Sequence, residues 1–199
     1  MTRTTRAIAA IAGAAALTLA LAACGTPPWD EQGGSGGSAP TASPSKIVVV
    51  QNDLATGSAK RTLQAGDVTL AVTYYSNLDI GKWTPGADKP LSLSATATLG
   101  ADQGQAVYLS KVTVSTTVQG PRGPLAAPAA QSDDASVQPG YFVKSPYSYG
   151  PTFIIPPLGA SATSITISFV YELLVQTTPT STSYAKESAS DTLTIALAR

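Results

Sequence analysis

Beyond Lys46 the apolar side chains recur at every second residue, and that spacing sets what the chain can fold into. Val68, Leu70, Val72 and Tyr74 alternate with Thr69, Ala71 and Thr73; Leu91, Leu93, Ala95, Ala97 and Leu99 alternate with Ser92, Ser94, Thr96 and Thr98. The alternation returns in Ile165, Ile167, Phe169, Tyr171, Leu173 and Val175, and again in Leu193, Ile195 and Leu197. A strand sends successive side chains to opposite faces, so each run has one apolar face and one bearing hydroxyls, as a half-buried antiparallel strand requires. No long stretch after Lys46 carries the spacing of a helix.

The run Ala106 to Val118 changes parity. Val107 and Leu109 occupy one set of positions, Val112, Val114 and Val118 the other. A β-bulge near Ser110 and Lys111 would bring both sets to one core. Further strands are expected at Ile47 to Val50, Arg61 to Leu63, Phe153 to Ile155 and the Ser/Thr-rich stretch before Ser188, separated by Pro85-Gly86, Gly100, Gly120-Pro121, Pro139-Gly140 and Pro156-Pro157. Seven to nine short strands in about 150 residues predict an all-β domain, 47–199, built as an immunoglobulin-like antiparallel β-sandwich, with a closed β-barrel as the alternative. The Cys and Trp framework of antibody domains is missing, which bears only on the narrower assignment.

Composition removes several kinds of chemistry. The 199 residues include no histidine, one cysteine, and one methionine, Met1. Imidazole-based triads and metal sites are therefore excluded, as are an internal disulfide and a multi-cysteine zinc site. The 12 basic and 12 acidic residues balance, and no Lys/Arg cluster marks a nucleic-acid footprint. The lone cysteine has a particular setting. Arg3 and Arg6 are the only charges before Asp30, and Ala7 to Ala23 is apolar or small apart from Thr18, the pattern of a secretory signal peptide, 1–23. The run ends Leu21-Ala22-Ala23-Cys24-Gly25, which resembles the lipobox of bacterial lipoproteins. That resemblance covers only the first 25 residues. It implies cleavage before Cys24, a diacylglyceryl group on its thiol, and a domain held by lipid on the extracytoplasmic face of the membrane, since two acyl chains suffice for stable anchoring. Without Arg3 and Arg6 the mature chain would carry a net charge of −2, so lipid rather than electrostatics would hold it. Residues 24–46, with Gly33-Gly34-Ser35-Gly36-Gly37-Ser38 and Ala39-Pro40-Thr41-Ala42-Ser43-Pro44, have a linker's composition and an extended reach of about 75 Å.

Catalytic signals are weak. Ser183 to Lys186 matches Ser-x-x-Lys, but so does Ser43 to Lys46 in the tether, and the companion motifs of penicillin-recognising enzymes are absent. Of three glutamates, Glu31 lies in the tether, Glu172 on the polar parity of a strand and Glu187 beside Lys186; Asp53, Asp79, Asp88, Asp102, Asp133 and Asp134 fall in expected loops. A carboxylate-based envelope hydrolase would need two of these acids to face each other. Calcium is the one metal the composition permits, through Asn77 with Asp79 or Asp133 with Asp134, yet no EF-hand spacing appears, and no metal or cofactor is expected.

The most unusual stretch is Pro139 to Leu158. Tyr141, Phe142, Tyr147, Tyr149 and Phe153 are five of the eleven Tyr and Phe residues, set among five prolines on a segment too Pro-rich for a central strand. Stiff aromatic loops offer contact area at low entropic cost. Tyr141, Tyr147 and Tyr149 are therefore the candidate partner-binding residues, while Phe142 and Phe153 are expected to fold back over an open end of the sandwich. The expectation is a non-enzymatic binding module that meets an envelope protein or glycan partner. The alternatives are the hydrolase and a structural accessory subunit of an envelope assembly.

Overall fold

The structure, a computed structural model, describes residues 51–199. The signal segment 1–23, Cys24, the tether and the expected strand Ile47 to Val50 lie outside the described residues. Ten strands follow one another: β1 (Ser58–Ala65), β2 (Val68–Tyr75), β3 (Lys89–Leu99), β4 (Val107–Gly120), β5 (Gly123–Leu125), β6 (Gln131–Asp134), β7 (Tyr141–Phe142), β8 (Thr152–Ile155), β9 (Ser164–Gln176) and β10 (Tyr184–Ala196). One sheet has the order β1-β2-β3-β8; the other runs β10-β9-β4, with β5, β6 and β7 in succession along the far edge of β4. Two antiparallel sheets face each other, and among the described residues no barrel closes.

The alternating runs become β2, β3, β9 and β10, and their apolar sets are the core: Leu70, Tyr74, Leu91, Leu93, Ile165, Ile167, Phe169, Tyr171, Leu193 and Ile195 have no exposed surface. The parity change in β4 is a bulge. Its register with β9 shifts between Leu109 and Lys111, and Ser110, left without a partner, donates its hydroxyl to the Glu172 carbonyl at 3.0 Å. Val107 and Leu109 before the bulge, and Val112, Val114 and Val118 after it, are thereby all buried.

The count exceeds seven to nine because of β5, β6 and β7. These short segments carry little alternation of their own and take their pairing from β4: Val118↔Leu125, Val112↔Asp133 and Leu109↔Tyr141. The chain then crosses to the other sheet, where β8 pairs with β3. Residues 123–155 thus form a strap that edges one sheet, closes the side of the sandwich and edges the other. The opposite side is closed by charge. Asp53 hydrogen-bonds Thr194 through its backbone N–H (2.9 Å) and its carboxylate (2.7 Å), and Arg61 of β1 reaches Asp53 at 3.0 Å and Asp191 of β10 at 3.9 Å.

Candidate functional site

Register decides where the aromatic side chains of the strap point. Directly opposed residues of an antiparallel pair share a face, so Tyr141 follows its partner Leu109 inward and Phe142 follows Tyr108 outward. Gly140 permits this contact, because a Cβ there would lie 2.7 Å from the Leu109 carbonyl oxygen. Val143 donates its N–H to Val107 of β4 at 3.0 Å and accepts from Ala97 of β3 at 2.8 Å, which makes it the crossing point between sheets. Lys144 anchors the crossing through Asp102 (2.6 Å) and the Gln105 carbonyl (2.8 Å). Tyr149 then pairs with Ala95 of β3, beside Gly150, where an added Cβ would collide with the Leu93 carbonyl oxygen.

On the outer face, Tyr147, Phe142, Tyr108 and Tyr184 form a strip across one end of the larger sheet. Successive ring centroids are 5.2, 5.6 and 5.8 Å apart and the rings are tilted by 61°, 63° and 82°, edge to face. Tyr147 is 60% and Phe142 39% exposed. Leu174, opposite Tyr108, shares this face, and the Lys186–Glu172 ion pair lies on the same side of β9 and β10. Tyr184 begins β10, whereas the described chain enters the domain beside Thr194 near its end; the strip is therefore about 33 Å along the sheet from that entry.

Inside the strap, Tyr141 and Tyr149 stack with centroids 3.8 Å apart and planes 18° from parallel. The Tyr141 hydroxyl accepts from the Ser136 N–H and shares a second hydrogen bond with the Ser136 hydroxyl, each 3.1 Å; these bonds, the hydroxyl's first, hold its pKa below the usual phenol value. Burial pushes Tyr149 the other way, and the Asp133 carboxylate adds to the rise. Asp133 Oδ2 is itself buried and makes no hydrogen bond. A second pair crosses the core, Tyr74 and Tyr171, joined hydroxyl to hydroxyl at 2.8 Å. Burial is the main cause of the raised pKa of both, and Asp191, whose Oδ2 is also buried without a hydrogen bond, adds to it.

Of the three candidate tyrosines, then, Tyr147 stands in the exposed strip, while Tyr141 and Tyr149 are half-buried against each other in the seam. Phe153 is buried, as expected for a residue covering the core, but Phe142 is not: its register with Tyr108 turns it to solvent. Tyr108 and Tyr184 complete the strip, and neither stands out in the sequence except that Tyr108 occupies the polar parity between Val107 and Leu109.

The remaining candidates are occupied locally. Asp79 caps the short turn Ile80–Lys82 by accepting from the Gly81 N–H at 2.7 Å, Asp134 pairs with Lys111 at 3.0 Å, and Lys186, the lysine of the Ser-x-x-Lys match, is engaged by Glu172 rather than by Ser183. Among the described residues, no group of three or more Cys, Asp or Glu is placed to hold a metal ion. Asp53 and Asp191 both face the Arg61 guanidinium, at 3.0 and 3.9 Å. No protein-family model matches the chain, and no curated protein matches it.

Proposed function

We propose that this chain is an exported protein, lipid-anchored at Cys24, whose β-sandwich serves as a non-enzymatic binding module for an envelope or extracellular partner. The observation that carries the binding reading is the exposed strip Tyr147–Phe142–Tyr108–Tyr184. Rings packed edge to face against one another have less conformational freedom to lose than isolated side chains, so a partner that covers them gains apolar contact at a reduced entropic cost. Their placement at the end of the domain remote from residue 51 suits presentation. Tyr141 and Tyr149 act indirectly in this reading: their stack holds β7 in the register that turns Phe142 outward.

In-cell crosslinking tests the surface. A Phe142→Ala/Tyr147→Ala double variant should lose its crosslinked products while keeping the unfolding transition of the parent chain; undiminished crosslinking would remove the strip from consideration. The anchor has a separate test. Metabolic labelling with an alkynyl fatty acid should mark the protein and fail on Cys24→Ala, and a Cys24→Ala chain still labelled at the same level would contradict anchoring at that residue.

A further inference from the structure

The end of the sandwich opposite the aromatic strip carries a groove of about 460 Å³, within the range of small-molecule sites. Its walls come from the segment before β3, the β4–β5 turn, the β8–β9 loop and the residues after β10, and its lining is largely aliphatic: Pro85, Pro121, Leu158, Ala162 and Ala198. Arg199 also lines it. The walls are tied to one another by backbone hydrogen bonds, Leu158 to Pro85 (2.8 Å), Ala198 to Trp83 (3.1 Å), Leu197 to Thr163 (2.9 Å) and Thr163 to Gln119 (2.8 Å), so the groove exists without a ligand to shape it. Behind one wall the fully buried Lys89 amine donates to the carbonyls of Ala87 (2.6 Å) and Pro85 (3.2 Å), and burial lowers its pKa.

Charge is segregated around this groove. An adjoining hollow shares Pro121 and Ser161 with it and carries Arg122. Neither concavity is lined by an aspartate or glutamate, and neither arginine side chain is ion-paired among the described residues. Two other surface hollows show the reverse, with Asp79 in one and Asp67 and Glu187 in the other, and no lysine or arginine in either. An aliphatic trough with cations at its rim fits an amphiphile that has an anionic head. A groove of about 460 Å³ is of the size that takes one small amphiphile.

We propose that this groove binds a single long-chain carboxylate, its alkyl chain against Leu158 and Ala162 and its head group at Arg199 and Arg122. The site is independent of the aromatic strip and of any partner that strip engages.

Photo-crosslinking of the full-length chain in its membranes tests the assignment. The probes are diazirine-labelled palmitate, a phosphatidylcholine bearing the same diazirine chain, and a diazirine-labelled hexadecyltrimethylammonium. Palmitate should give saturable adducts in peptides containing residues 158–163 or 198–199, with about ten-fold less from the ammonium probe. Ala160→Trp, which places an indole in the groove from an exposed position, should lower palmitate adducts by about ten-fold, and Arg122→Glu/Arg199→Glu by about five-fold, with melting temperatures unchanged. Equal labelling by the ammonium probe, labelling mainly by the phospholipid, or undiminished palmitate adducts in both folded variants would overturn the proposal.

Discussion

Two tyrosine pairs, each with a buried carboxylate oxygen beside it, occupy this domain, and they solve the same chemical problem differently. Tyr74 and Tyr171 lie between the sheets, where water does not reach, so each hydroxyl is the other's partner and the pair meets at the oxygen atoms. Tyr141 and Tyr149 lie at the strap, half in contact with water; their rings stack, and the Tyr141 hydroxyl turns to Ser136. Asp191 faces the first pair and Asp133 the second, each with an oxygen that makes no hydrogen bond. Identical residue types thus become a link between sheets in one place and a surface-facing closure in the other. The difference is set by access to water, because a buried hydroxyl must find a partner within the protein while an exposed one need not.

Truncation should separate the two pairs most widely. Tyr74→Ala is expected to cost about 3–5 kcal/mol in denaturant unfolding, as removal of a large core aromatic does, and Tyr149→Ala no more than about 2. Equal losses would mean that the strap is as integral as the core. Gly150→Ala attacks the seam without touching a tyrosine. Its methyl would strike the Leu93 carbonyl, so the strap must lift, at a cost of about 1–3 kcal/mol and with loss of near-ultraviolet circular dichroism from the stacked pair. Tyr74→Phe leaves the Tyr171 hydroxyl alone in the core and should cost about 1–2 kcal/mol, whereas Tyr74→Phe/Tyr171→Phe should cost less than the sum of the single changes. Tyr141→Phe, at the water-facing pair, should leave the unfolding midpoint almost unmoved.

Alkaline titration gives the smallest and most specific contrast. Tyr74, Tyr171 and Tyr149 have pKa values raised above the free phenol's 10.0, so the native state retains protons that the unfolded chain releases. Their contribution to stability is complete below pH 10 and declines as pH rises above it. Tyr141 has the opposite sign: its lowered pKa favours the native phenolate, so it ionises first and opposes that decline. Phenolate absorbance should therefore show an early component that disappears in Tyr141→Phe, and a late component, above the usual phenol range, that shrinks in Tyr74→Phe/Tyr171→Phe.

How much of this was legible in the sequence depended on where each residue's register is decided. β2, β3, β9, β10 and the Ser110 bulge carry their own alternation, and Val107/Leu109 against Val112/Val114 was enough to place the bulge. The strap has no such pattern. Gln131–Asp134 is polar throughout, and Tyr141 and Phe142 acquire their faces from Leu109 and Tyr108, more than thirty residues away in the chain. Local sequence alone thus directs Phe142 to the core although it faces solvent, and it carries no sign of how the tyrosines divide between seam and strip. The aromatic content of the loop was visible in the sequence; its division into an inner stack and an outer strip follows from nonlocal pairing.

Pairing along the far edge of β4 has a further consequence. A strand of 14 residues with a free edge would present a continuous row of unpaired amides, the template on which β-rich proteins associate and aggregate. Here β5, β6 and β7 occupy that row in turn, and the prolines and glycines between them prevent the strap from becoming a long, regular edge of its own. At the other margin of the sheet, Lys186, Glu187 and Asp191 punctuate β10 with charge. The sequence irregularity that obscured the strap's register also protects each copy of the domain from edge-to-edge polymerisation with its neighbours.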